Sequence, residues 1–169
     1  VGHCTIDTEE SKTGVTVILP MEENIYMNKL VAASYVLNGF GKTTGLVQID
    51  ELGTLESIIA LTNTLNVGLV YDAVVDYMIE ECNKENVELE TFNPVICECN
   101  DSYLNNIQLR AVKNNHVYRA IEDVKIDFEE GDIGAGKGMS CHQLKGGIGS
   151  ASRVINLDGE DYTLGILVL

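Results

Sequence analysis

Basic residues are scarce in this chain. Lysine and arginine total 11 against 26 aspartates and glutamates, a net charge of −15. Such a surface repels phosphate backbones and anionic lipid, which argues against nucleic acid and membrane partners. It favours a cationic ligand such as a free amine, although an acidic balance also serves plain solubility. No apolar stretch approaches the roughly 20 residues that span a bilayer, and no basic segment leads into an apolar one at the start. The opening Val1-Gly2-His3 carries no methionine, so a lost or processed N-terminus is expected. Only two prolines occur, and no long linker or repeat divides the 169 residues. A single domain over 1–169 with a sizeable core is expected.

Familiar catalytic and metal signatures are missing as well. There is no CxxC and no HExxH, so no metal or cofactor site is expected, and no GxSxG nucleophile elbow is present. Cys4, Cys82, Cys97, Cys99 and Cys141 are odd in number and scattered, which reads as reduced thiols in a cytoplasmic protein. Gly131-Asp132-Ile133-Gly134-Ala135-Gly136-Lys137-Gly138 fits GxxxxGK, but Gly138 stands where a phosphate loop needs Ser or Thr. Its preceding segment is acidic where an apolar strand is required. Asn38-Gly39-Phe40-Gly41-Lys42 nearly gives a dinucleotide fingerprint and fails at Thr44. What remains there is a sharp turn that suits a pocket lip and equally an ordinary turn. Cys141 and His142 are adjacent, so on an extended strand they point to opposite faces and form no dyad. His3 and His116 read as structural.

What is present is a layered pattern. Thr13–Leu19 alternates like a strand and ends at Pro20. Lys29–Leu37 reads as a strand entering a glycine turn, 46–52 as a short helix closed by Gly53, and 57–61 as a buried strand. Val67–Glu81 is the strongest helix, with Val70, Val74, Tyr77 and Met78 on one stripe and Asn66 placed to cap it. A weaker helix covers 116–125. The glycine-dense stretch 131–149 implies close backbone approach, and Asp158-Gly159 joins two further strands as a hairpin. The run Leu164–Leu169 has the composition of a core strand, and more polypeptide is expected after it. Together these give one layered α/β domain with mixed or antiparallel sheets.

The most suggestive stretch is Glu98-Cys99-Asn100-Asp101-Ser102-Tyr103-Leu104-Asn105-Asn106, directly after the apolar Pro94–Cys97. Carboxylates, amides and a phenol at a strand end can build a site. The same residues also make an Asx-rich turn. The residues alone leave both open.

Several segments taken in order resemble the DmpA-like L-aminopeptidase/D-esterases, which include β-peptidyl aminopeptidases. They are Thr13–Thr16 with Ile18–Pro20, Asn38–Lys42, Thr44–Gln48, Glu51–Glu56, Leu61–Leu65, Glu98–Asp101, Tyr103–Asn105, Gly134–Gly136, Gly138–Cys141, Lys145–Gly149 and Ala151–Arg153. The resemblance implies a four-layer αββα sandwich of the N-terminal-nucleophile-hydrolase type. It implies a precursor that cuts itself before a serine, whose new N-terminus is the nucleophile. This chain would then be most of the α chain, with the β chain of the same precursor as partner and a homo-oligomer of αβ units as the assembly. The implied substrate is a peptide or aminoacyl amide. Tyr103 matches the family tyrosine that donates to the oxyanion, Asp101 and Glu98 are placed to pair a substrate amine, and Asn38 and Gly39 to line the pocket. Ser102 stands where many relatives have glycine. Two alternatives are kept: a self-cleaving acyltransferase of the ornithine acetyltransferase type, and a non-catalytic relative that binds ligand.

Overall fold

A computed structural model describes residues 1–169. The elements in order are β1 (Gly2–Asp7), β2 (Lys12–Ile18), β3 (Leu30–Val31), α1 (Leu46–Leu52), β4 (Thr54–Leu55), β5 (Ile59–Asn63), α2 (Val67–Lys84), β6 (Val95–Cys99), α3 (Asn114–Glu122), β7 (Ser140–Cys141), β8 (Leu144–Lys145), β9 (Gly149–Leu157) and β10 (Glu160–Val168). Short 3-10 turns cover Thr64–Asn66, Ile107–Leu109 and Gly134–Gly138.

The central sheet has the order β1-β2-β5-β6, antiparallel across the first two pairings and parallel between β5 and β6. A parallel neighbour needs a crossover, and α2 supplies it. On one face of the sheet α3 lies over β1 and β2, and α2 lies over β5 and β6. Small and branched residues set that interface: Val15, Val17, Ala60, Val70, Ala73, Val74, Ile96, Val117 and Ala120 are all fully buried. The helix stripe read from the sequence is the packed one, with Met78 also inside, while Asp72, Asp76 and Glu80 face outward.

The opposite face carries the glycine segment. Strand alternation turns Gly2 toward α3 and His3 the other way. There the His3 Nδ1 meets the Thr16 hydroxyl at 2.9 Å, while Ala135 N–H donates to the same hydroxyl oxygen at 3.1 Å. Gly134 N–H donates to Thr5 Oγ1 at 2.8 Å. Gly134 has φ +53°, and a methyl group on it would lie 2.4 Å from Thr16 Oγ1, so no other residue fits. Gly134 and Gly138 therefore approach β1 and β2, while Gly136 and Gly147 pack against the backbone of Gly131 in their own segment. Lys137, the apparent phosphate-loop lysine, pairs with Asp7 and Asp132 at 2.7 Å each.

Three sequence expectations differ from the structure. Only Leu30–Val31 of the 29–37 strand is extended in a ladder, and Val31, Tyr35 and Leu37 are exposed, so apolar content there does not mark burial. Asn66 does not cap α2; its side-chain amide donates to the Val112 carbonyl at 3.2 Å, and a 3-10 turn precedes the helix in its place. The β9–β10 hairpin forms as read, with Asp158 and Gly159 both at positive φ. Its core-like residues are nevertheless open: Leu164 and Ile166 are each 54% exposed, and Ile166 shares an open cavity with Ile18, Ile59 and Phe128 of the main body. The chain is thus mixed α/β as expected, a sheet with helices on one face and the β9–β10 hairpin set beside it across that cavity.

Candidate active site

One end of the sheet collects the polar groups. There β2 begins, and the parallel strands β5 and β6 both finish, with Asn63 paired to Cys99 and Thr62 to Glu98. Outside the carboxyl ends of parallel strands is a usual place for a ligand. A cavity of about 460 Å³ opens there, lined by Asn38, Gly39, Phe40, Thr43, Thr64, Glu98, Cys99 and Asn100. Of the residues singled out by sequence, Glu98, Asn38 and Gly39 meet at this one cavity.

The 38–44 segment reaches the cavity because it is pinned along β6. Thr44 N–H donates to the Ile96 carbonyl at 3.0 Å, and Ile96 N–H donates to Thr44 Oγ1 at 3.2 Å. The Thr44 hydroxyl in turn donates to the Pro94 carbonyl at 2.9 Å. The residue that breaks the dinucleotide fingerprint is thus the one that fastens the pocket lip. Further along, Lys42 N–H donates to Glu98 Oε1 at 3.0 Å, and the Lys42 ammonium sits 3.5 Å from the centre of the Phe40 ring. Glu98 Oε2 is buried and has no partner within the chain.

Sequence reasoning missed two residues that line the cavity, Thr43 on its lip and, more deeply set, Thr64. Thr64 is 7% exposed, and its hydroxyl also lacks a partner. The signal available was its place directly after Asn63, at the end of a strand that runs parallel to the one ending in Cys99.

Tyr103 lies on the turn after β6 and is 84% exposed, projecting from the surface rather than lining the cavity. Asp101 is the reverse. It is fully buried, and Asn105 Nδ2 donates to its Oδ1 at 3.0 Å. Burial pushes its carboxyl above the ordinary range, and the Thr13 and Asn105 side chains act against that push. Its Oδ2 has no hydrogen bond of good geometry, so Thr13 eases the charge without closing a full bond. Asp101 lies wholly inside the chain and lines no part of the cavity, so it is not presented to a substrate amine, whereas Glu98 lines the cavity. The Asx turn is real too, for Ser102 N–H donates to Asn100 Oδ1 at 2.9 Å. Turn and site therefore occupy the same nine residues.

The remaining candidates are structural or peripheral. Cys97 and Cys99 are half-buried with thiols raised by burial, Cys141 is exposed, and all five cysteines are free. His116 accepts from Lys113 N–H at 3.0 Å and caps α3. His142 occupies the turn of the β7–β8 hairpin at φ +50°.

Residues 1–169 match the family model for peptidase family S58. The chain is 34% identical over 178 residues to a β-peptidyl aminopeptidase, BapA, of Sphingosinicella xenopeptidilytica, an alignment covering 99% of this chain and 44% of that protein. Among solved structures, the PH0078 protein from Pyrococcus horikoshii OT3 superposes with a TM-score of 0.91 at 48% identity, over 98% of this chain and 50% of that one. The L-aminopeptidase D-Ala-esterase/amidase of Ochrobactrum anthropi gives 0.85 at 30% identity, over 98% and 49% respectively. That protein is described as a prototype of the serine aminopeptidases and a new variant among the Ntn hydrolase fold. The chain thus spans about half the length of these relatives, or less.

Proposed function

Because the chain belongs to peptidase family S58, we propose that it forms the amine- and oxyanion-binding part of a serine aminopeptidase whose nucleophile lies on a second chain cut from the same precursor. The observation that carries this reading is the cavity at the ends of β5 and β6, which gathers Glu98, Asn38 and Gly39 from distant parts of the sequence. An aminopeptidase must select a chain terminus, and a carboxylate with one oxygen unpaired in a small acidic cavity suits an ammonium group. With Asp101 closed off, Glu98 alone takes that role.

In the proposed reaction the N-terminal serine hydroxyl of the second chain attacks the substrate carbonyl, its proton passing to that chain's own amine or a nearby group. The tetrahedral oxyanion accepts a hydrogen bond from the Tyr103 phenol, a contact that strengthens as charge develops. Collapse expels the protonated leaving amine and leaves an aminoacyl ester on the serine. Water then hydrolyses that ester and frees the aminoacyl product. Assembly of such αβ units into a homo-oligomer belongs to the same proposal, and the exposed Val31, Tyr35 and Leu37 offer apolar surface for it.

Two measurements test the reading on the full-length gene product. Intact-mass analysis with N-terminal sequencing is expected to find a second chain beginning with serine; an uncleaved, single-chain protein would refute self-processing. Tyr103→Phe is expected to cleave itself normally yet lose on the order of 10²-fold in kcat on aminoacyl p-nitroanilides. Full turnover by that variant removes Tyr103 from the mechanism.

A further inference from the structure

We propose that Asn105, acting with Asp101, is a positioning residue for Tyr103: it fixes the phenol at a set spacing from the Glu98 cavity and does not itself touch substrate. The inference rests on the proposed roles of Tyr103 and Glu98 and adds the device that couples them.

Tyr103 projects from its turn with little around it, so its placement depends on how the turn is held from below. The Asp101 carbonyl accepts from Leu104 N–H at 3.1 Å and Asn105 N–H at 3.0 Å, which closes the turn. Asn105 then reaches in two directions. Its amide nitrogen donates to Asp101 Oδ1 at 3.0 Å, and its amide oxygen accepts from Lys12 N–H at 3.1 Å. Asn106 N–H adds a bond to the Glu10 carbonyl at 3.1 Å. The C-terminal end of the turn is thereby fastened to the approach and first residue of β2, and the Asp101 end is tied to it through Asn105.

The fit around this bracket is tight. A methyl group on Gly138 would lie 2.0 Å from the Lys12 carbonyl oxygen and 2.8 Å from Asp101 Cβ. The turn is wedged between the start of β2 and the glycine segment, with Asn105 itself 5% exposed. One residue along β2, the Thr13 hydroxyl oxygen accepts from Asn63 Nδ2 at 2.8 Å. Asn63 Oδ1 accepts from Leu65 N–H at 3.1 Å and so shapes the turn that carries Thr64 into the cavity wall. A continuous set of bonds therefore runs from the cavity through Asn63, Thr13 and Lys12 to Asn105 and the turn of Tyr103. An enzyme that holds an amine at one point and an oxyanion at another needs that separation constant, since an error near 1 Å costs on the order of 100-fold in rate.

The test is a double-mutant cycle in the full-length, processed enzyme, read together with amide exchange. Asn105→Ala is expected to lower kcat on the order of 10-fold while KM stays within about 2-fold. In a Tyr103→Phe background the same substitution is expected to change kcat by less than about 2-fold, because the group it positions is already gone. Asn105→Ser, polar but too short to bridge Asp101 and Lys12, serves as the second variant and is expected to show the same split. Equal losses in both backgrounds, or a raised KM with kcat unchanged, would overturn the proposal. Independently of activity, the amides of Leu104 and Asn105 are expected to exchange faster in either variant while those of β5 and β6 stay protected. If the unsubstituted enzyme turns over no aminoacyl amide, the proposed function fails. The exchange result then still decides whether Asn105 holds the turn, and unchanged protection rejects that too.

Discussion

Gly134→Ala is expected to destabilise the protein well beyond Gly131→Ala, although both glycines hold left-handed backbone, at φ +53° and +85°. For an L-residue that conformation costs about 1–2 kcal/mol. At Gly131 this is the whole effect, because an added methyl meets nothing within 4 Å. At Gly134 the methyl would lie 2.4 Å from Thr16 Oγ1, 2.8 Å from His3 Nδ1 and 2.9 Å from the Val15 carbonyl oxygen. None of these withdraws freely. The carbonyl belongs to a central strand, and the two side chains are bonded to each other. Overpacking of this kind adds roughly 1–3 kcal/mol, and a displaced segment also loses the Ala135–Thr16 hydrogen bond, about 1 kcal/mol more. The total is roughly 3–6 kcal/mol against about 1–2 for the control. With a urea slope of about 1–3 kcal/mol per molar, the two unfolding midpoints should separate by on the order of 1 M in far-UV circular dichroism. Equal shifts would refute the packing argument and leave backbone conformation as the only reason for glycine at 134.

Glu98→Gln keeps an acceptor for Lys42 N–H but removes the charge. Loss of a charge-assisted bond worth about 1.5–3 kcal/mol raises KM for free-amine substrates roughly 10- to 150-fold, with kcat little changed; an unaltered KM would move the amine site elsewhere. His3 gives a pH dependence. Burial lowers its pKa below 6.5, and its Nδ1 faces a hydroxyl already engaged by Ala135. The unfolded chain therefore binds a proton that the folded one resists. Stability contributed by neutral His3 is complete above 6.5 and declines as pH falls through 6.5 toward the lower folded value. Melting temperatures from pH 8 to 5.5 should fall less steeply in His3→Asn, and an unchanged slope would clear His3 of any part in it.

The sequence made the scaffold legible where period and punctuation agreed. The stripe of Val70, Val74 and Met78, the Gly53 end of α1 and the Asp158-Gly159 hairpin all depend on neighbours within a few residues. It misled where an apolar composition had no packing partner to honour it, as at 29–37 and along β10. The site divides in the same way. Resemblance supplied Glu98, Asn38 and Gly39 as separate residues, and only the sheet order shows that they share a cavity. Asp101 and Tyr103, two positions apart on one turn, point to opposite environments, one sealed and one open. No spacing rule separates them, because the difference is set by Gly138 and the start of β2, which press on one side of the turn.

The single parallel pairing in the sheet has a consequence in time. Hairpin pairs such as β1–β2 close over a few residues, but β5 and β6 meet only after α2 has crossed over and docked. Loop closure of that length comes before any contact that rewards it, so such pairings form late. One side of the cavity wall is made of the ends of those two strands. During refolding, the helix signal and the β1–β2 ladder should therefore appear before any ability to bind an amine, and a folding arrest short of the β5–β6 pairing would yield a chain with helices and its local hairpins but no pocket.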